Sequence, residues 1–164
     1  MKVYLLVILA QFMCLFTLAQ ESAVSQAPGL EYVMELRVTC DPAYQVGSTP
    51  HGQRVVIPIT GGTFQGPKLH GQVLAGGADY QLVHPESGCT ELEAIYSIRT
   101  HDGTNIHVRN VGLLCSEEGN FYFRTAPRFE APSDSPYAWL NRSIFVCVPQ
   151  VMPEYISLKV WRVM

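Results

Sequence analysis

The chain has 164 residues, with 11 Lys and Arg against 14 Asp and Glu, for a net charge of −3. That mildly acidic balance, without a basic run, argues against nucleic acid or an anionic membrane surface as a partner. The length suits one domain with a real core.

Met1-Lys2 followed by the apolar run Val3 to Leu18 reads as a secretory signal, with small residues placed for cleavage after Ala19. The apolar run is short for a membrane span, and no later stretch is long enough for one. Domain bounds follow as a signal at 1–19 and one domain at 20–164, with the mature chain expected in the secretory pathway or outside the cell.

Residues 20–29 are Ser-, Ala- and Gln-rich and read as a loose arm. Leu30 to Cys40 alternates as a first strand, and Asp41 to Gly52 reads as a long loop. Gln53 to Thr60 is strand-like, with Pro58 confining it to an edge or a bulge. Lys68 to Leu74 and Ala78 to His84 are expected as a hairpin. The glycine pairs Gly61-Gly62 and Gly76-Gly77 are turns, since no helix follows to hold a phosphate.

Leu92–Thr100 and Asn105–Val111 flank His101-Asp102-Gly103-Thr104, where Asp-Gly suits a two-residue type I′ turn. That register places Tyr96 opposite Arg109 and Ile98 opposite His107. A second turn centred on Glu118-Gly119 leads into Phe121–Glu130 and sets Arg128 opposite Arg109. After a loop at Ala131–Pro136, Tyr137–Val148 and Glu154–Val163 read as the last strands, with a turn at Pro149–Pro153. No helical period appears in the mature chain. Short strands with turn signals every eight to twelve residues give an all-β fold, a single closed antiparallel barrel of about eight to ten strands, with a sandwich as the alternative.

Cys14 leaves with the signal, so Cys40, Cys89, Cys115 and Cys147 remain in an oxidising compartment. The hairpin register brings Cys89 and Cys115 almost opposite each other, favouring that disulfide and leaving Cys40–Cys147 by subtraction. A zinc site is disfavoured by the lack of a Cys-x-x-Cys pair. Asn141-Arg142-Ser143 is a sequon, a candidate glycan site if Asn141 points outward.

The expected parity gathers Tyr96, His107, Arg109, Tyr122, Arg124, Arg128 and Glu130 on one ribbon face. It is read either as the solvated outside of the sheet or as the lining of a polar cavity. One bulge would exchange the faces. No nucleophile elbow is present and no carboxylate pair has a fixed separation. What remains is Arg54, Asp79, Tyr80, Tyr96, His107, Arg109, Arg124 and Trp139. Arginines supply fixed donors for a carbonyl, phenolate or carboxylate oxygen, and aromatics supply apolar walls. Arg109, Arg124 and His107 are the candidate catalytic groups; Arg54, Asp79, Tyr80, Tyr96 and Trp139 are candidate substrate contacts. Each has a bland reading as surface pair, core aromatic or turn cap.

Two stretches, Arg54-x-x-Ile57-Pro58-Ile-x-Gly61-Gly62-x-Phe64-x-Gly66-Pro67 and Gly76-Gly77-Ala78-Asp79-Tyr80, resemble a family of small β-barrels known as domain of unknown function 3237. The likeness continues through Tyr96–Gly103, Val108-Arg109-Asn110, Tyr122–Glu130 and Trp139–Val146. It implies a lipocalin-like barrel with a central cavity and admits a homodimer. Tyr80 stands where a tryptophan is expected, and the signal and cysteines depart from plain cytoplasmic bacterial members. Both departures suggest a secreted fungal branch, whose similar barrels guide cyclisations in secondary metabolism, including hetero-Diels–Alder reactions.

The expectation is an enzyme without metal or redox cofactor, closing a ring in an unsaturated, oxygenated polyketide- or terpene-derived molecule, with dehydration as a variant. The alternatives are a secreted carrier barrel without turnover and a structural barrel filled by its own side chains.

Overall fold

The computed structural model describes residues 27–117 and 119–164, so the expected signal at 1–19 lies outside the described residues. The strands are β1 Leu30–Cys40, β2 Tyr44–Thr49, β3 Gly52–Gln65, β4 His70–Val73, β5 Gly77–His84, β6 Cys89–Thr100, β7 Asn105–Glu117, β8 Asn120–Glu130, β9 Phe145–Val151 and β10 Ile156–Val163. One 3-10 turn spans Ala138–Arg142. Every ladder is antiparallel. The circuit runs β1–β10–β9–β8–β7–β6, passes through β4 and β5 to β3, and closes from β3 back onto β1. The expected closed barrel is the architecture.

Ten strands make eight staves because two staves are broken. β4 and β5 both lie between β3 and β6, end to end and in the same direction. The expected hairpin between them is therefore corrected: Leu74–Gly76 is a kink within one stave. β1 and β2 share the opposite side of β3 in the same way, so the expected loop at 41–52 carries a strand that continues β1 beyond the end of its β10 pairing. Pro58 sits inside β3 opposite Ala78, where β1 slips register between Thr39 and Cys40; its carbonyl accepts from the Asp41 N–H at 3.0 Å. A missing N–H is tolerated at such a bulge.

The segment expected as a strand from Tyr137 begins instead as the 3-10 turn. Its Asn141 amide ties back to Ala131, and β9 starts only at Phe145 and carries Pro149 within it.

The β6–β7 turn decides which side chains face inward. Gly103 N–H donates to the Thr100 carbonyl and Thr100 N–H to Thr104, enclosing three residues rather than two, with Gly103 at φ +88°. A type I turn followed by a left-handed glycine bulge has this form. The extra residue shifts the register by one: Tyr96 pairs with Val108 and Ile98 with Ile106, while Arg109 pairs with Ile95. Since the side-chain period is two, the slip moves Tyr96 to the inner face and leaves Arg109 outside. It also sets Cys89 directly opposite Cys115, and that disulfide is formed. Between β7 and β8 the register is as expected, pairing Arg109 with Arg128.

The second expected disulfide is not formed; Cys40 and Cys147 are free thiols. β10 lies between β1 and β9, and Cys147 is level through Val160 with Met34, six residues from Cys40 along β1. That is roughly 20 Å of strand, far beyond the ~4.4–6.8 Å between Cα atoms that a disulfide spans.

The two barrel ends differ. At one, Phe129, Phe145, Leu140, Leu69 and Met34 form a solid plug, with Phe145 edge-on to Phe129 at 5.0 Å between ring centroids. At the other, the β7–β8 ribbon carries exposed Phe121 and Tyr122, and β2 carries exposed Tyr44 and Val46.

Candidate active site

The unplugged half of the barrel encloses a cavity of about 220 Å³. Its walls are mostly aliphatic, from Val38 of β1 to Leu158 of β10, and a few polar groups interrupt them. Asp79 and Gln81 come from alternate positions of β5, Tyr96 from β6, Asn110 from β7, Thr125 from β8 and Cys40 from the end of β1. Each occupies an inward position in its strand's alternation, so barrel closure, and not a local motif, assembles the set.

Asp79 is the acidic group of this cavity. Its Oδ2 accepts from Gln81 Nε2 at 2.8 Å and its Oδ1 from the Glu93 backbone N–H at 3.1 Å. Those donors favour the carboxylate, but burial outweighs them and raises the pKa above the ordinary aspartate value. Burial also raises the Tyr96 phenol, with the Cys147, Asp79 and Cys40 charges acting in the same direction. The Cys40 thiol is raised by burial first, then by the carboxylates of Asp79 and Asp41. Burial pushes the Cys147 thiol up to about 11. The cavity therefore holds its titratable groups toward their protonated forms. A buried carboxylic acid, a phenol and a thiol can each donate a hydrogen bond or a proton.

The expected arginine cluster lies elsewhere. Arg109 is on the outer wall, its Nη2 2.7 Å and its Nε 2.8 Å from Glu93 Oε1. Arg124 donates to the Phe123 carbonyl at 2.7 Å and lies over the exposed Tyr122 ring. His107 pairs across the ribbon with Glu130, on the same outer face. Arg54 donates to the Tyr80 carbonyl at 3.1 Å, and Tyr80 itself is exposed. Trp139 belongs to the plug, tilted against Phe145 and flanked by Lys68 and Arg162. Of the eight residues singled out in the sequence, the cavity brings together Asp79 and Tyr96. The physical reason is the bulged turn: it reverses the parity of β6 relative to β7, so the outer face keeps the charges.

Asn110, Thr125 and Gln81 were not among the sequence candidates. Asn110 carried a readable signal, as the polar residue that breaks the inward series Ile106, Val108. The Asn141 side chain clamps Ala131, with Oδ1 accepting its N–H at 2.7 Å and Nδ2 donating to its carbonyl at 2.8 Å.

Fold and cavity together define a small antiparallel barrel whose interior sets one carboxyl group, raised in pKa by burial, among aliphatic walls. The chain belongs to the family described as protein of unknown function DUF3237, whose model matches residues 28–163. A UPF0311 protein of Clostridium acetobutylicum is 36% identical over 148 residues, covering 81% of this chain and 92% of its own. The hydroalkoxylation enzyme PhnH of Penicillium herquei is 28% identical over 136 residues, covering 83% and 84%. Among solved structures, a β-barrel-like protein of Acinetobacter baumannii superposes with a TM-score of 0.77 at 28% identity, over 84% of this chain and 96% of that one. An enzyme of Penicillium herquei superposes with a TM-score of 0.69 at 27% identity, over 84% and 96%.

Proposed function

We propose that the protein is a small-molecule cyclase of secondary metabolism that adds a hydroxyl across a carbon–carbon double bond within one substrate, using Asp79 as the acid. The observation that carries this reading is a carboxyl group in an apolar cavity, its pKa raised by burial, with the buried Tyr96 phenol in the same cavity. The likeness to a hydroalkoxylation enzyme supports the same chemistry.

The step is an isomerisation and balances without a co-reactant. Asp79 gives its proton to one alkene carbon, forming a C–H bond as the π bond breaks. The substrate oxygen bonds to the other carbon, and its proton returns to the Asp79 carboxylate. Gln81 and the Glu93 N–H steady that carboxylate while it bears charge. Aliphatic walls hold the tethered alkene and hydroxyl in a reactive geometry, an effect worth roughly 7–11 kcal/mol where orientation is good. The hetero-Diels–Alder variant leans on arginine donors, and these lie on the outer wall, so proton-driven addition is the better match.

The test is incubation with a neutral ortho-prenylated phenol. Native protein is expected to yield the cyclic ether and Asp79→Asn to leave it open. Recovery of unaltered phenol from native protein, with stoichiometric binding, would replace this reading with a carrier.

A further inference from the structure

In the cavity wall, Asn110 Oδ1 lacks a hydrogen-bond partner among the described residues, and the Thr125 hydroxyl has at most the weak contact of the Cys147 thiol opposite it on β9. Asn110 is 4% exposed and Thr125 7%, and both line the cavity. A buried acceptor without a donor is destabilising, and native proteins leave few of them. The two lie close on one inner surface: Thr125 pairs with Gly112, the next inward position after Asn110. Gly112 contributes no side chain, and a Cβ there would sit 2.3 Å from Thr125 Cγ2 and 2.4 Å from the Arg124 carbonyl oxygen, so the wall is kept bare beside Thr125. No Lys, Arg or His lines the cavity among the described residues, and Asp79 is its acidic group.

We infer that Asn110 and Thr125 form a docking point for a neutral hydroxyl of the ligand, a phenol, enol or alcohol, and that the cavity rejects organic anions. The hydroxyl donates to Asn110 Oδ1, and the Thr125 hydroxyl turns to complete the contact. A carboxylate or phosphate in this place would be desolvated with no cation to meet it and with Asp79 in the same cavity. At about 220 Å³ the space is smaller than the ~300–1,000 Å³ usual for drug-sized ligands, which limits the enclosed part to a compact ring system. The inference rests on the proposed function only in placing the ligand in this cavity, and it concerns binding rather than turnover.

Calorimetric titration with 2-naphthol, naphthalene and 2-naphthoate at pH 7 tests it. Native protein is expected to bind naphthol at least about tenfold tighter than naphthalene and to bind naphthoate more weakly than either. Asn110→Leu and Thr125→Val remove the two polar groups with little change of shape. Each should shrink the naphthol-over-naphthalene preference while its melting temperature is unchanged or higher, which a purely structural role would not produce. Retained preference in both variants, naphthoate bound as tightly as naphthol, or no binding of naphthol to native protein would overturn the inference. Asp79→Asn should keep the preference even if it abolishes turnover, so failure of the chemistry and failure of the docking point are separable.

Discussion

The barrel's two halves are built from the same alternating strands and put them to opposite use. In the plugged half, Phe145, Phe129 and Leu140 fill the interior, and the polar groups of the turns are satisfied locally. Asp102 accepts from the Thr100 hydroxyl, the Thr104 N–H and the Tyr137 hydroxyl, which together lower its pKa. In the hollow half, an aspartate is raised by burial, the Asn110 amide oxygen has no partner among the described residues, and the Thr125 hydroxyl has at most a thiol. The plugged half has an unpartnered atom of its own, Arg162 Nε beside Trp139, whereas the hollow half gathers its departures from stable packing around one cavity. Such violations gather where binding or chemistry is done.

That contrast can be broken by substitution. Asp79→Asn, which keeps shape and at least one hydrogen bond, is expected to lower turnover of the prenylated phenol by about 10²–10⁴-fold with a melting temperature no lower than native. Phe145→Ala should cost about 3–5 kcal/mol by denaturant unfolding, because the plug cannot collapse into the void, while residual folded protein keeps its ligand preference. Tyr96→Phe should cost about 10- to 100-fold in turnover if the phenol donates to the reacting oxygen. Arg109→Ala sharpens the comparison from outside. Its pair with Glu93 is half exposed, so the expected loss is below about 1 kcal/mol, with turnover unaffected. Loss of turnover in Arg109→Ala would move the site to the outer face.

Titration supplies a further check on Asp79. Its folded-state pKa lies above the unfolded value, so the stability linked to its proton is complete at low pH and is lost as pH rises through the folded value. Native protein should therefore lose stability relative to Asp79→Asn as pH is raised from about 4. Turnover should fall along the same limb, because the acid form does the work. Denaturant midpoints and initial rates across pH measure the two.

Much of the fold was legible because alternation and turn residues are local signals. Leu30–Cys40 read directly as β1, and the register of β7 against β8 sets Arg128 opposite Arg109 as expected. The site was not legible to the same degree, because it depends on parity between strands. Asp-Gly is compatible with both a two-residue turn and the three-residue loop found, and one residue decides whether Tyr96 or its neighbours face inward. Asp79 and Tyr96 were recognisable as chemistry-bearing residues, whereas their meeting with Asn110 and Thr125 is a product of closure over four different strands. The Cys40–Cys147 pairing failed for a related reason: elimination counts thiols, but only topology places β10 between them.

The central claim is that Asp79 is an acid of raised pKa inside a ligand cavity. Carboxyl ¹³C NMR titration, with the resonance assigned by its absence in Asp79→Asn, addresses it directly. The account predicts a midpoint above the ordinary aspartate value of about 3.9 that moves when 2-naphthol is added. A midpoint at or below that value, indifferent to naphthol, would contradict it.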